Sequence, residues 1–259
     1  MSLFSRKTED TLTMKNKLPH VIDAKRRGRE KEHMLLSILH TEKFINFKNL
    51  QLLLSISDKS NTYKLLKKLT NKGYLVKHIV KLPSGNITLW GITQAALTDI
   101  DSPEYASPIA FEPSKINFTN LNHRLLTQRT RFFLHHLNWG SWQPADSYVF
   151  KEKFKSVTHR PDAVMTSPKG IDVALEIELT LKSPTRYRSI IKSHILALQK
   201  KQWSHVIYVV ASDTAKKNLK KRFERMNYIA IGETRTPFSM YEKLFSIFTI
   251  DEMKDLKHN

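Results

Sequence analysis

The chain has 259 residues and is strongly basic, with 43 Lys and Arg against 24 Asp and Glu and a formal net charge of +19. This length accommodates one large domain or two smaller ones, and this charge favours an anionic polymer as partner. The absence of cysteine excludes disulfides, thiolate catalysis and Cys-ligated zinc, so carboxylates and histidines remain as metal ligands.

Both halves of the chain are basic, so a basic tail alone does not explain the net charge. No apolar run approaches the roughly 18 uncharged residues that a membrane span requires. We also expect no secretory leader, because no apolar segment follows the charged start of the chain. The sequence therefore predicts a cytoplasmic protein without membrane insertion.

The first 28 residues are polar, with a basic cluster at 25–29 and little apolar periodicity, which predicts a basic flexible arm. From Glu30 apolar residues follow at helical spacing. A second helix is predicted from about Phe47 to Leu54. After a polar turn, Asp58 or Ser60 is suited to cap a third helix that ends at Gly73.

Two short strands joined by the turn P-S-G-N come next, and a helix is predicted from about Thr93 to Ile100. Three helices followed by a hairpin, over residues 29–100, resemble the bacterial winged helix-turn-helix family. The resemblance implies that the third helix enters the major groove of DNA and that the wing contacts its backbone or minor groove. A protein-interaction module with the same pattern is the alternative. The expected DNA contacts are Ser60, Asn61, Lys64, Lys67 and Lys68 in the third helix, and Lys77, His78 and Lys81 in the wing.

Residues 101–115 hold three prolines and no helical period, which predicts an interdomain linker. The second domain, residues 116–259, is predicted to follow the order αβββαβαβ. Its first helix is amphipathic and contains His123. Its three consecutive strands are predicted near 147–151, at 161–166 and at 171–179. The next helix is predicted from about Pro184 to Lys200, and a strand, a charged helix and the strand Y-I-A-I follow it.

Carboxylates are concentrated in the second and third of these strands. Asp162 opens one, and Glu176 and Glu178 share a face of the other because strand side chains alternate. Several carboxylates among apolar neighbours repel one another and lose hydration unless a cation neutralises them, and hard divalent ions prefer oxygen ligands. A polar face turned towards water would explain the same alternation without a metal.

The element order, with Pro161-Asp162 in one strand and Glu176-Ile177-Glu178 in the next, resembles the PD-(D/E)XK nuclease family over residues 115–232. The resemblance implies an α/β restriction-endonuclease-like αβββαβ core. The third-strand motif of that family ends in lysine, where this chain has Glu178. In some members the next helix supplies the lysine, and Lys182 and Lys192 are the candidates here.

Together with the upstream winged helix, these motifs resemble the replication-relaxation family and the MobC-type plasmid mobilisation relaxases. The resemblance implies a protein that binds a plasmid origin of transfer and nicks one DNA strand there, with accessory mobilisation and coupling proteins as partners. It is compatible with a homodimer.

The resemblance also implies roles for individual residues. Asp162 and Glu176 would hold Mg²⁺ or Mn²⁺, with Glu178 as a further ligand, directly or through water. Lys182 or Lys192 would stabilise phosphate charge or orient the nucleophile. His123 is either a residue of the site or an ordinary helix histidine. Further candidates for phosphate contact are Arg186 and Arg188; for Tyr187 between them, packing or phosphate contact is favoured over nucleophilic attack.

Two other functions share these features. One is a sequence-specific DNA-binding protein of plasmid replication or transfer whose nuclease-like domain is inactive, which the missing motif lysine favours. The other is a restriction or transposon-type endonuclease, which would use the same carboxylates but commonly cuts both strands.

Overall fold

The computed structural model describes residues 5–83, 85–100 and 109–253, with side chains described from residue 23 onward. The chain divides into two compact units, Met1–Ile116 and Asn117–Asn259. Both contain helices and strands, so the protein belongs to the mixed α and β class, as predicted. Within the described residues, no helix is both long and apolar enough to cross a bilayer.

The first unit packs helices against a small antiparallel sheet with the strand order β1-β3-β2. Its core is formed largely by leucines of the helices, including Leu35, Leu50 and Leu66, which are at most 2% exposed. In chain order, its elements are α1 (Ser5–Glu42), β1 (Phe44–Asn46), α2 (Phe47–Leu53), α3 (Lys59–Asn71), β2 (Leu75–Leu82), β3 (Gly85–Ile92) and α4 (Gln94–Asp99).

The predicted ends of the third helix are confirmed. Asp58 is the N-cap of α3, and its side-chain Oδ1 accepts a hydrogen bond from the backbone N–H of Ser60 at 2.8 Å. Gly73 follows the last turn with a φ of +75°, a left-handed conformation that glycine adopts without strain. Local capping chemistry therefore fixes where this helix begins and ends.

The predicted N-terminal arm differs from the structure, because residues 5–28 belong to the helix α1. Lys, Arg, Glu, Leu and Met are good helix formers, and weak apolar periodicity argues against a buried face rather than against a helix. Residues 1–4 lie outside the described residues.

The predicted linker also differs in its second part. Residues 101–108 lie outside the described residues, but Phe111 packs onto the first unit. Its backbone N–H donates to the carbonyl oxygen of Ile92 at 2.8 Å, and its ring lies 5.5 Å from that of Phe44. Phe111 covers Gly91, where a Cβ atom would stand 2.0 Å from its ring. The chain up to Ile116 thus belongs to the first unit.

The second unit is built on a five-stranded mixed sheet with the order β10-β7-β6-β5-β4. The strands β10, β7 and β6 are parallel, whereas β5 pairs antiparallel with both β6 and β4. A separate hairpin joins β8 to β9. In chain order, the elements are α5 (Phe118–His136), β4 (Gly140–Pro144), α6 (Tyr148–Lys153), β5 (Ala163–Thr166), β6 (Asp172–Glu178), α7 (Pro184–Gln199), β7 (His205–Val210), α8 (Asp213–Glu224), β8 (Tyr228–Ile231), β9 (Thr234–Pro237) and β10 (Phe245–Thr249).

The central strand β6 is buried on both faces. On one face Ala174 belongs to a core cluster with Ile191 of α7 and Phe223 of α8. On the other face Leu175 belongs to a cluster with Leu134 of α5. The sheet therefore lies between α5 and the pair α7 and α8, which explains why β6 is continuously apolar apart from its acidic residues.

One prediction of strand position is wrong. The segment near 147–151 forms the short helix α6, capped by Ser147, and the first strand of the sheet is β4 instead. Tyr148 and Val149 are 76% and 63% exposed while Phe150 is fully buried, so one side chain anchors this helical turn. The predicted strand Y-I-A-I is confirmed as β8, which pairs with β9 outside the main sheet. One edge of the main sheet is β10, which was not predicted.

Candidate functional site

The three predicted carboxylates lie towards the C-terminal end of β6. The backbone N–H of Asp162 donates to the carbonyl oxygen of Leu175 at 2.9 Å. Its side-chain Oδ2 accepts a hydrogen bond of 2.6 Å from the backbone N–H of Ile177, the residue between the two glutamates. Glu176 and Glu178 share one face of the strand and are 5% and 4% exposed. The structure therefore brings Asp162 to the motif Glu176-Ile177-Glu178.

The hydroxyl of a buried tyrosine on the neighbouring strand interacts electrostatically with all three carboxylates. Tyr208 of β7 is in register with Glu176. Burial raises its pKa well above the ordinary value, and the negative charges of Glu176, Glu178 and Asp162 raise the pKa further. Within the described part of the chain, its hydroxyl has no hydrogen-bond partner.

Glu176 is held by two histidines that the sequence analysis did not select. The Nε2 atoms of His159 and His194 each lie 2.8 Å from Oε1 of Glu176. Burial acts to raise the pKa of Glu176, but the hydrogen bonds from the two imidazoles outweigh it and lower the pKa to about 2. Glu176 is therefore ionised at neutral pH.

The side chains of His159, Glu176 and His194 could also bind a metal ion together, since one ligand atom from each lies within 4.8 Å of the others. His159 precedes β5 and His194 lies on the buried face of α7. His194 follows Ile190 and Ile191 by four and three residues, on the apolar stripe of the predicted helix, and this polar residue at an apolar position was the available sequence signal.

Glu178 pairs with a predicted lysine. The Nζ atom of Lys182 lies 2.6 Å from Oε2 of Glu178, and the lysine side chain is 34% exposed. The backbone N–H of Lys182 donates to the hydroxyl of Tyr187 at 3.3 Å. Burial raises the pKa of Tyr187 above its ordinary value, and the charge of Glu178 adds to this. Lys182 thus reaches Glu178 from the segment that follows β6.

His123 of α5 contacts the site through Asp162. Its Nε2 lies 3.1 Å from the carbonyl oxygen of Ile177 and 3.3 Å from Oδ1 of Asp162. The hydrogen bond to Asp162 raises the pKa of His123, although burial opposes this.

Each of the three carboxylates therefore has a protein partner that compensates its charge: a histidine and a backbone N–H for Asp162, two histidines for Glu176, and a lysine for Glu178. Their burial does not by itself require a cation, which differs from the energetic argument made from the sequence.

The remaining predicted residues of the second unit lie on α7. Lys192 is half-buried and forms no hydrogen bond or ion pair with the described residues. Arg186 and Arg188 are exposed, and the guanidinium of Arg188 lies 5.8 Å from the ring centre of Tyr228. The two arginines are therefore accessible to a ligand.

The predicted DNA-binding residues of the first unit are mostly accessible. Ser60, Asn61, Lys64 and Lys67 are exposed on α3, as are Lys77 and Lys81 on β2. Lys68 is already ion-paired with Glu32 of α1, and Lys72 pairs with the same carboxylate at 3.5 Å. His78 is half-buried, with its ring 6.3 Å from that of Phe111.

A cavity of about 750 Å³ lies on the α5 side of the sheet. Its walls include Trp139, Ile171, His205 and Phe248, and they contain none of the predicted site residues.

Comparisons of the chain with protein-family models, with curated proteins and with solved structures find no match. Functional inference therefore depends on the residues and their geometry.

Proposed function

We propose that the protein is a metal-dependent DNA endonuclease that nicks one strand, of the relaxase type acting at a plasmid origin of transfer. One observation carries the proposal. Asp162 accepts a hydrogen bond from the backbone N–H of Ile177, between Glu176 and Glu178 at the end of a central strand, and Lys182 pairs with Glu178. Carboxylates at the ends of adjacent strands with a nearby lysine are suited to phosphodiester cleavage.

The order of elements around these residues supports a PD-(D/E)XK-like core. The helix α5 precedes β4, β5 and β6, with the short helix α6 inserted between β4 and β5, and α7 then leads to β7. The strand β6 pairs antiparallel with β5 and parallel with β7. In the first unit, three helices followed by the hairpin of β2 and β3 support the winged helix-turn-helix assignment and hence a DNA ligand.

The donor types suit Mg²⁺ or Mn²⁺, although the one group of described side chains whose ligand atoms all lie within 4.8 Å of one another is His159, Glu176 and His194. Asp162 and Glu176 would hold the ion, with Glu178 as a further ligand directly or through water, and oxygen donors are those that hard divalent ions prefer. Glu176 is ionised without a cation, and both its hydrogen bonds use Oε1. A bound ion supplies positive charge at the scissile phosphate and lowers the pKa of a coordinated water.

The residues of the chain have separate tasks in this mechanism. His123 holds Oδ1 of Asp162 and so fixes its side chain. The ammonium of Lys182 is accessible enough to stabilise charge on the phosphate as well as on Glu178. The ring of Tyr187 is fully buried, which favours water over this tyrosine as the nucleophile.

Each unit would supply DNA contacts of its own. Lys64 and Lys67 on α3 are suited to the major groove or its phosphates, and Lys77 and Lys81 on β2 to the backbone. Arg186 and Arg188 on α7 add phosphate contacts near the carboxylates.

A second candidate is a DNA-binding protein of plasmid replication or transfer without catalytic activity. Two observations favour it: Glu178 replaces the motif lysine, and every carboxylate is already compensated by the protein.

The deciding experiment incubates the protein with supercoiled plasmid that carries its origin region, with Mg²⁺, Mn²⁺ or EDTA. We expect open circles with either metal, and a nicking rate at least about 100-fold lower for Asp162→Asn and Glu176→Gln. Asp172→Asn is the matched control, because Asp172 lies on the same strand but pairs with Lys153 and Thr166 instead.

Each other outcome has a definite meaning. Plasmid that is bound but uncut with every ion would replace the nickase by the DNA-binding protein. Linear product would favour a restriction or transposon-type endonuclease. Equal activity of Asp162→Asn and wild type would exclude this site.

A further inference from the structure

The two histidines that bind Glu176 converge on one oxygen from different parts of the chain. His159 lies in the segment before β5, and His194 lies in the middle of α7. Both Nε2 atoms stand 2.8 Å from Oε1, and no hydrogen bond to Oε2 is found among the described residues. One oxygen of the carboxylate is thus doubly hydrogen-bonded while the other keeps its lone pairs.

The surroundings of His194 determine which ring nitrogen carries the proton. The side chain is fully buried, and its ring packs at 5.6 Å from Trp203 and 6.2 Å from Phe245. Its Nδ1 is buried without a hydrogen-bond partner among the described residues. A buried N–H without an acceptor is strongly disfavoured, so the proton belongs on Nε2, where Glu176 accepts it.

This protonation pattern makes His194 a hydrogen-bond donor. A metal-binding histidine presents a bare nitrogen to the ion and almost always donates its other N–H to a carboxylate, carbonyl or water. For His194 the nitrogen that faces Glu176 carries the proton, and the other has no acceptor from the described residues.

His159 is held in place by the same helix. Its backbone N–H donates to Oγ of Ser193 at 2.9 Å, and the hydroxyl of Thr158 donates to the same oxygen at 3.0 Å. Ser193 is 3% exposed and directly precedes His194. The helix α7 therefore positions both imidazoles relative to Glu176.

We propose that His159 and His194 are positioning residues that hold Oε1 of Glu176 and leave Oε2 to bind the divalent cation. This inference rests on the proposed function, because it takes Glu176 as a metal ligand. The two N–H groups fix the orientation of the carboxylate before the ion arrives, as hydrogen bonds to ligating carboxylates do in metal sites generally.

The competing arrangement uses all three side chains as ligands. Two histidines and one carboxylate bind transition metals in other proteins, including Fe²⁺ in non-haem oxygenases. The two arrangements differ in one measurable respect. As ligands the imidazole nitrogens contact the metal, whereas as positioning residues they do not.

The test uses the full chain and Mn²⁺ without DNA, with four variants: His159→Gln, His159→Leu, His194→Gln and His194→Leu. Glutamine keeps an N–H donor near the position of Nε2 but has no imidazole nitrogen, and leucine has neither. We expect the leucine variants to bind Mn²⁺ about 10- to 100-fold more weakly, and the glutamine variants to stay within about threefold of wild type.

His205→Leu is the matched control, because His205 is partly buried in the same unit but bonds to Ser246 instead. Titration calorimetry measures Mn²⁺ affinity, and metal-free thermal unfolding shows which variants are folded. If a leucine variant does not fold, two other measurements distinguish positioning residues from metal ligands. They are the Mn²⁺ affinity of the glutamine variants and pulsed electron paramagnetic resonance of wild type. We expect no nitrogen coupling from histidine to the bound Mn²⁺.

The following results would overturn the proposal. Nitrogen coupling, or equal loss of affinity in the glutamine and leucine variants, would make the histidines ligands. Wild-type affinity in folded leucine variants would leave them without effect on the metal. No Mn²⁺ binding by wild type would remove Glu176 as a ligand and the proposed function with it.

Failure of the nickase alone looks different. In that case Mn²⁺ binding follows the expected pattern across the variants while supercoiled plasmid stays uncut. Conversely, wild-type nicking together with loss of Mn²⁺ binding in the glutamine variants would refute the positioning role and retain the nuclease.

Discussion

At the scale of single residues, two buried tyrosines near the carboxylates differ in how their hydroxyls are satisfied. The hydroxyl of Tyr208 has no partner among the described residues, whereas that of Tyr187 accepts a hydrogen bond from the backbone N–H of Lys182. A buried polar group without a partner destabilises the folded state, and a paired group stabilises it slightly.

We therefore expect opposite effects from the same substitution at the two positions. Tyr208→Phe should raise the free energy of unfolding by up to about 1 kcal/mol, and Tyr187→Phe should lower it by about 1 kcal/mol. Urea denaturation of the two variants beside wild type measures both changes. A clear loss of stability in Tyr208→Phe would mean that its hydroxyl is hydrogen-bonded in solution.

The carboxylates of the candidate site could be predicted from the sequence, and their partners could not. Glu176 and Glu178 stand out because acidic residues interrupt an otherwise apolar strand. His159 and His194 lie 17 and 18 residues from Glu176 on opposite sides, and only the packing of α7 against the sheet brings them together. The local periodicity of the sequence does not predict a contact between residues so far apart in the chain.

At the scale of elements, the contact between Gly91 and Phe111 joins the end of β3 to the last segment of the first unit. A Cβ atom at Gly91 would stand 2.4 Å from Cβ of Phe111, so moving the ring alone would not relieve the clash. Gly28 in α1 offers the matched contrast, because no atom lies within 4 Å of a Cβ built there.

Gly91→Ala should destabilise the first unit by about 3 kcal/mol through overpacking. Gly28→Ala should stabilise it by about 1 kcal/mol, because alanine favours a helix over glycine. Hydrogen exchange of peptides from residues 23–100 in rising urea, read by mass spectrometry, reports on this unit alone. Unchanged protection in Gly91→Ala would show that Phe111 does not pack there in solution.

Elements with strong local signals are those that the sequence predicts well. The boundaries of α3 follow from the cap Asp58 and the left-handed Gly73. By contrast, the segment at 147–151 has aromatic and β-branched residues typical of a strand but forms α6, because only Phe150 is buried in the core. The strand β10 was missed because its neighbour in the sheet, β7, is distant in sequence.

At the scale of the whole molecule, the net charge of +19 is distributed over both units and suits a polyanion. The lysines are not all equally available to bind a polyanion, however. Lys64 and Lys67 are exposed on α3, while Lys68 of the same helix pairs with Glu32. Composition alone does not distinguish them.

We expect Lys64→Gln combined with Lys67→Gln to weaken DNA binding and to reduce the slope of log affinity against log salt by about 2. Lys68→Gln is the control and should change the slope less, because its charge is already compensated. Fluorescence anisotropy with a labelled duplex at several salt concentrations measures both. Identical slopes for wild type and the double variant would show that this face of α3 does not contact phosphates.

The position of β10 affects the order of folding during synthesis. The core of the first unit is complete once Phe111 has been made, but the sheet of the second unit needs β10, and Met253 is fully buried in its core. At roughly 5 to 20 residues per second, the second unit is finished on the order of ten to thirty seconds after the first. Under the proposed function, the DNA-binding unit therefore emerges from the ribosomal exit tunnel and can fold well before the unit that cleaves DNA is complete.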